Sequence, residues 1–205
     1  MNSMRDAGSA VIFGAADAFG SEIAARLAAD GYAVHSCAAA DAVALKAFFS
    51  HAGTVEVLVI NVPATAGETN FLDVSDAAFD GAMRHFLFTP VAVAQAALPS
   101  MAPGARIVFV SSRGYLGAWG GAQLMAASAA LVAMARSMSL ELAERHIAVN
   151  LVAPEFVGSK WDQPQARRAV ANAVSYMADP DTGVSGETLL VDGGRSLRMT
   201  ESRRR

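Results

Sequence analysis

Residues 9–38 read SAVIFGAADAFGSEIAARLAADGYAVHSCA: a short apolar run, a glycine turn, Ile23 and Leu27 near helical spacing, then Gly31 and a second apolar run. That succession is a βαβ unit, which commits a chain to a parallel sheet whose strands are short, continuous and covered by helices on both faces. VEVLVIN (55–61) and ARIVFVSS (105–112) are further Val- and Ile-rich runs of that kind. Between them, residues 75–102 predict one long helix with Pro90 as an interior kink, ending near Pro99. A helix over 124–145 and a strand over IAVNLVA (147–153) repeat the alternation. The expected fold class is therefore α/β, a doubly wound parallel sheet.

Composition bounds the rest. The 205 residues are 53% hydrophobic and 17% charged, enough to bury one sizeable core, so the expectation is a single domain over 1–205 with 1–8 and 195–205 as flexible tails. A net charge of −3 without a basic stripe argues against a nucleic-acid partner, and Arg203, Arg204 and Arg205 read as a solvated tail. The single cysteine, Cys37, excludes an internal disulfide and reads as a buried strand residue. His35, His51, His85 and His146 have no ligand spacing, so no metal is expected. The first ten residues lack the apolar core of a signal peptide, and no apolar run approaches membrane-spanning length. A cytoplasmic protein without a membrane partner is the expectation.

From Leu124 the chain runs LMAASAALVAMARSMSLELAERHIAVNLVAP, which resembles the short-chain dehydrogenase/reductase signature YxASKxALxxLxxSLAxELAxxxIRVNxVAP without a gap. FGAADAFG (13–20) resembles the family's TGxxxGxG, and VLVINVPA (57–64) its VLVNNAG. The resemblance spans about residues 9–194. It implies a Rossmann-like fold closed by ETLLVDGG, and a dinucleotide held by Gly14, Ala18, Gly20 and Asn61. It also places the family's proton-donating tyrosine on Leu124, its lysine on Ser128 and its helix asparagine on Phe86.

These departures have chemical content. Hydride transfer between alcohol and ketone needs a group that handles the hydroxyl proton, and a tyrosine does so near neutrality only beside a cation. A lysine four residues on lies on the same helix face. Leucine transfers no proton, and Ser128 carries no charge. Ala18 adds a methyl group and Asp17 a negative charge where a pyrophosphate would approach a helix N-terminus. Val62 and Pro63 replace the family's Ala-Gly, and Pro154-Glu155 its Pro-Gly.

The chain is also short in one place. Residues 38–54 intervene between the second strand and VEVLVIN, where the family fits a helix, a strand and a second helix, a set needing roughly 40 residues or more. One helix, expected over 42–53, fits, so the sheet is shortened at that edge and the adenine side loses part of its wall.

The expectation that follows is a non-catalytic subunit without a cofactor. It would pair with an active family member as a heterodimer or heterotetramer, or with itself, through the helices over 76–98 and 122–145. The alternative is a divergent NAD(P)-dependent alcohol/ketone oxidoreductase. A second alternative rests on Ser112, Arg113 and Tyr115: nicotinamide-free chemistry at a Ser/Tyr site, similar to that of the halohydrin dehalogenases. Ser111, Ser159, Trp161 and His85 also fall near the expected pocket, which only a short lid over 155–168 covers.

Overall fold

The computed structural model describes residues 8–39, 41–65, 69–156, 159 and 162–198. β1 (Ser9–Phe13), α1 (Ala18–Ala29) and β2 (Ala33–Cys37) form the opening βαβ unit, with β1 and β2 paired in parallel. Ala10, Val11 and Ile12 are fully buried, because β1 is covered on both faces. α2 (Ala42–His51) begins at Asp41, whose carboxylate caps the Val43 and Ala44 N–H groups, and leads directly to β3 (Val55–Asn61). One helix thus fills the short interval, as its length requires.

α3 (Asp76–Met83) is followed by a π-helical turn at Arg84–Phe88 and by α4 (Thr89–Ala97). The expected interior kink at Pro90 is corrected here: Pro90 stands in the first turn of α4. Proline has no N–H to continue the ladder and its ring crowds the preceding turn, so the helix widens just before it. The Thr89 hydroxyl closes the wide turn by donating to the Arg84 carbonyl at 3.0 Å.

β4 (Met101–Val110), α5 (Ala122–Glu141), β5 (Ala148–Pro154), α6 (Pro164–Ala178), β6 (Thr188–Val191) and the short α7 (Arg195–Arg198) complete the order. The six strands lie in the order β2-β1-β3-β4-β5-β6, every pair parallel. The fold is the α/β doubly wound parallel sheet expected, with β2 on its edge. α2, α4 and α5 pack Leu45, Phe49, Val93 and Leu131 on one face, and α1 and α6 pack Ile23, Leu27, Val170 and Val174 on the other.

Two further expectations change. α5 is long and apolar enough to cross a bilayer, so one apolar run does reach that length. Here its Leu131, Val132 and Ala135 are seated against the sheet. The chain after 194 is not a loose tail from its start, since α7 opens there and Arg195 pairs with the buried Glu155 at 3.0 Å. Arg203, Arg204 and Arg205 lie outside the described residues.

Candidate functional site

In an open parallel sheet, ligands sit beyond the carboxyl ends of the strands where the winding reverses. Here that point lies between β1 and β3, since β2 is laid down on one side of β1 and β3 to β6 on the other. The residues singled out in the sequence collect at this edge: Gly14 after β1, Asn61 at the end of β3, Ser111 and Ser112 after β4, and Glu155 after β5.

The glycine turn is tightly built. Gly14 has φ +79°, and a Cβ there would stand 2.3 Å from the Asn61 carbonyl oxygen. At Gly20 it would stand 2.1 Å from the Gly14 carbonyl oxygen, so neither position takes a side chain. Ala18 opens α1 with its methyl group exposed, leaving the approach to the helix N-terminus open. Asp17 caps that terminus, accepting the Gly20 N–H at 2.7 Å. Asn61, 2% exposed, donates from Nδ2 to the Gly14 carbonyl at 2.8 Å and to both Asp17 oxygens at 3.0 and 2.9 Å. Val62 continues β3 by donating its N–H to Val110.

A second group surrounds the start of α5. Ser112 is fully buried, and its Oγ lies 3.2 Å from the Oγ of Ser128, itself 1% exposed, while accepting the Gly114 N–H at 3.2 Å. Leu124 joins Phe86, Ala64, Met125, Ala118 and Phe156 in an apolar cluster beside this pair. The structure therefore brings together Leu124 and Phe86 in one apolar cluster and Ser112 with Ser128 in one hydrogen bond. Tyr115 instead packs against the core on the α2, α4 and α5 face. Burial pushes its phenol above the usual range, with Arg136 opposing and Asp192 adding to the shift. His85 stacks edge-on against Phe86 at 4.6 Å. Ser159 lies in the short stretch before α6, and Trp161 lies outside the described residues.

The third group is ionic. Glu155, 2% exposed, accepts from Arg113 Nε at 2.8 Å and from the Phe156 N–H at 3.1 Å, and meets Arg195 Nε at 3.0 Å. The Arg113 guanidinium also stands 5.1 Å over the Phe156 ring. Burial raises the Asp192 carboxyl, but hydrogen bonds from Ser196 and Gly194, aided by the Arg113 charge, hold it below the usual range. The Glu155 carboxylate, which stands where the family has a glycine, is thus turned onto two guanidiniums.

A doubly wound parallel sheet with a glycine turn at its switch point defines a nucleotide-binding class of fold. The family described as Enoyl-(Acyl carrier protein) reductase matches residues 2–169, and the chain belongs to the short-chain dehydrogenases/reductases. It is 29% identical to the 3-oxoacyl-(acyl-carrier-protein) reductase MabA of Mycobacterium tuberculosis, with 92% of this chain and 93% of that protein aligned. It is 36% identical to the (2S)-((R)-hydroxy(phenyl)methyl)succinyl-CoA dehydrogenase subunit BbsD of Thauera aromatica, over 45% of either protein. A short-chain dehydrogenase/reductase of Serratia marcescens superposes with a TM-score of 0.80 at 25% identity, covering 92% of this chain and 97% of that one. A blue fluorescent protein from a metagenomic library, solved in complex with NADPH, has the same fold at a TM-score of 0.76 and 23% identity, covering 91% of this chain and 97% of that one.

These findings overturn two expectations, the non-catalytic subunit and the absence of a cofactor. The full-length relative is a reductase by name, and the alignment with it covers 92% of this chain. Physically, replacing a side chain on a proton path can reroute the proton without ending the reaction, and the ionic departures are neutralised within the chain. What the residues alone did not reveal is the pairing of Asp17 with Asn61 and of Glu155 with Arg113 and Arg195. The cap signal at Asp17, three residues before Gly20, was legible; partners from distant elements were not.

Proposed function

We propose that this chain is an NAD(P)-dependent oxidoreductase that interconverts a ketone and an alcohol, with 3-oxoacyl compounds as the substrate class to try first. One observation carries the reading: a buried, doubly hydrogen-bonded Ser112 hydroxyl at the carboxyl end of β4, on the same sheet edge as a glycine turn with no room for side chains. The names of the reductase relatives support it.

The turn fits a dinucleotide: Gly14 and Gly20 pack the chain's own backbone too closely for any side chain, and the turn they close leaves the α1 N-terminus, with exposed Asp17 and Ala18, open to a pyrophosphate. The cofactor, when bound, supplies or accepts the hydride. Ser112 orients the substrate oxygen by a hydrogen bond that strengthens as negative charge develops there, and, since Leu124 has no proton to give, that oxygen takes its proton from water as the product leaves. Leu124, Phe86 and Phe156 keep that oxygen's surroundings dry, which strengthens the hydrogen bond. The family signature's tyrosine and lysine thus give way to Leu124 and Ser128, and the hydrogen bond of Ser112 is what remains to hold the reacting oxygen. A cytoplasmic protein that pairs with its own kind is the setting this reading implies, supported by exposed Phe79, Phe88 and Leu140 along α3, the π turn and α5.

The test is steady-state oxidation of NADH and NADPH by the purified protein with 3-oxoacyl thioesters and simple ketones, alongside nicotinamide fluorescence titration. Turnover with either cofactor is the expected result. No turnover and no fluorescence change up to millimolar cofactor would overturn the reading.

A further inference from the structure

The turn between β1 and α1 offers donors to an anion, and a carboxylate of the chain itself already holds them. Asp17 accepts from the Gly20 N–H and, with both oxygens, from the Asn61 amide. The first contact alone is an ordinary helix cap. The second is different, because Asn61 is a buried side chain delivered from β3 and aimed at the turn across 44 residues of sequence. Its other polar atom, Oδ1, has no donor among the described residues. Nearby on α6, Arg167 has its pKa raised first by Asp162, with smaller contributions from Glu22 and Asp17. The Asp17 carboxylate thus occupies a place where backbone N–H, amide N–H and helix dipole all favour negative charge.

A pyrophosphate brought to the α1 N-terminus would lie next to the Asp17 carboxylate and draw on the same N-terminal dipole, and two anions so close repel each other. We propose that the Asp17 carboxylate is a built-in competitor for the cofactor's pyrophosphate, holding the α1 N-terminus in the free protein and setting cofactor affinity by having to yield it. The proposal rests on the dinucleotide reading above and adds the residue that tunes it. Asp17 is exposed at the surface, so its side chain has solvent to move into when displaced.

Asp17→Asn and Asp17→Ser both keep a good helix cap while removing the charge, and circular dichroism melts confirm that the variants fold. Calorimetric titration of the unaltered chain and both variants with NADH, NADPH and inorganic pyrophosphate reads the effect. The expected result is binding at least fivefold tighter in both variants, with the gap narrowing as salt screens the charge. If the unaltered chain binds NADH or NADPH and the variants gain less than fivefold, the proposal is overturned while the cofactor reading stands. If no protein binds either dinucleotide but the variants take pyrophosphate at least fivefold more tightly, Asp17 is the competitor proposed and the cofactor reading falls. If neither the unaltered chain nor the variants bind any of the three ligands, both fall.

Discussion

The Ser112 hydroxyl is held from two sides, by the Gly114 N–H and by Ser128, so its removal unmakes two contacts in a fully buried place. Ser112→Ala is expected to lower kcat on the order of 10²-fold, the loss typical of one preorganised donor to a reacting oxygen. It should also cost about 1–3 kcal/mol of stability, because Gly114 and Ser128 lose a buried partner. Tyr115→Phe, by contrast, should leave kcat within about threefold, since its ring packs among core side chains and its hydroxyl is given no part in the Ser112–Ser128 hydrogen bond. Steady-state kinetics and urea melts on the two variants check this; a collapse of kcat in Tyr115→Phe with Ser112→Ala unaffected would reverse the assignment. At this scale the positions of Leu124, Ser128, Gly14 and Asn61 were legible, because a motif reports residues that are near in sequence. Arg113 and Arg195 on Glu155 were not, since nothing local in a sequence says which charge faces which.

Elements were legible where periodicity was long, and less so where one residue bent the chain. α1, α2 and α5 stand within a few residues of where the pattern placed them. The stretch over 75–102 divided differently, because proline's effect falls on the turn before it and takes the form of a widened helix. How β5 is tied to the chain entering β6 was also hidden. Asn150, fully buried in the IAVNLVA strand, donates to the Val184 carbonyl at 2.8 Å and accepts the Glu187 N–H at 3.1 Å. Asn150→Ala therefore strands a carbonyl and an N–H together and should cost about 2–4 kcal/mol, each unsatisfied group contributing about 1–2. The urea midpoint should fall with an unchanged slope. A midpoint equal to that of the unaltered chain would mean water replaces the side chain at no cost.

For the whole molecule, topology followed from counting: residues 38–54 hold one helix and no further strand, so β2 had to end the sheet. What counting did not reach was how the chain's last described segment is fastened to the site. Asp192, just beyond β6, accepts the N–H groups of Gly194 and Ser196 and the Ser196 hydroxyl, and feels the Arg113 charge. Burial alone would raise its carboxyl, yet those partners together hold it below the usual 3.8. A carboxyl whose folded value lies below its unfolded one adds stability above the unfolded value and loses it as pH falls through the folded one. The contribution is thus complete at neutral pH and vanishes in acid, below about pH 4. Asp192→Asn removes the charge, so its melting temperature should lie below that of the unaltered chain at pH 7. The two curves should then converge as pH falls from about 5 into the range below the usual carboxylate value, because only the unaltered chain has this contribution to lose. Curves that stay parallel across that window would mean the Asp192 turn fastens the end of the chain by shape alone, with its charge adding nothing.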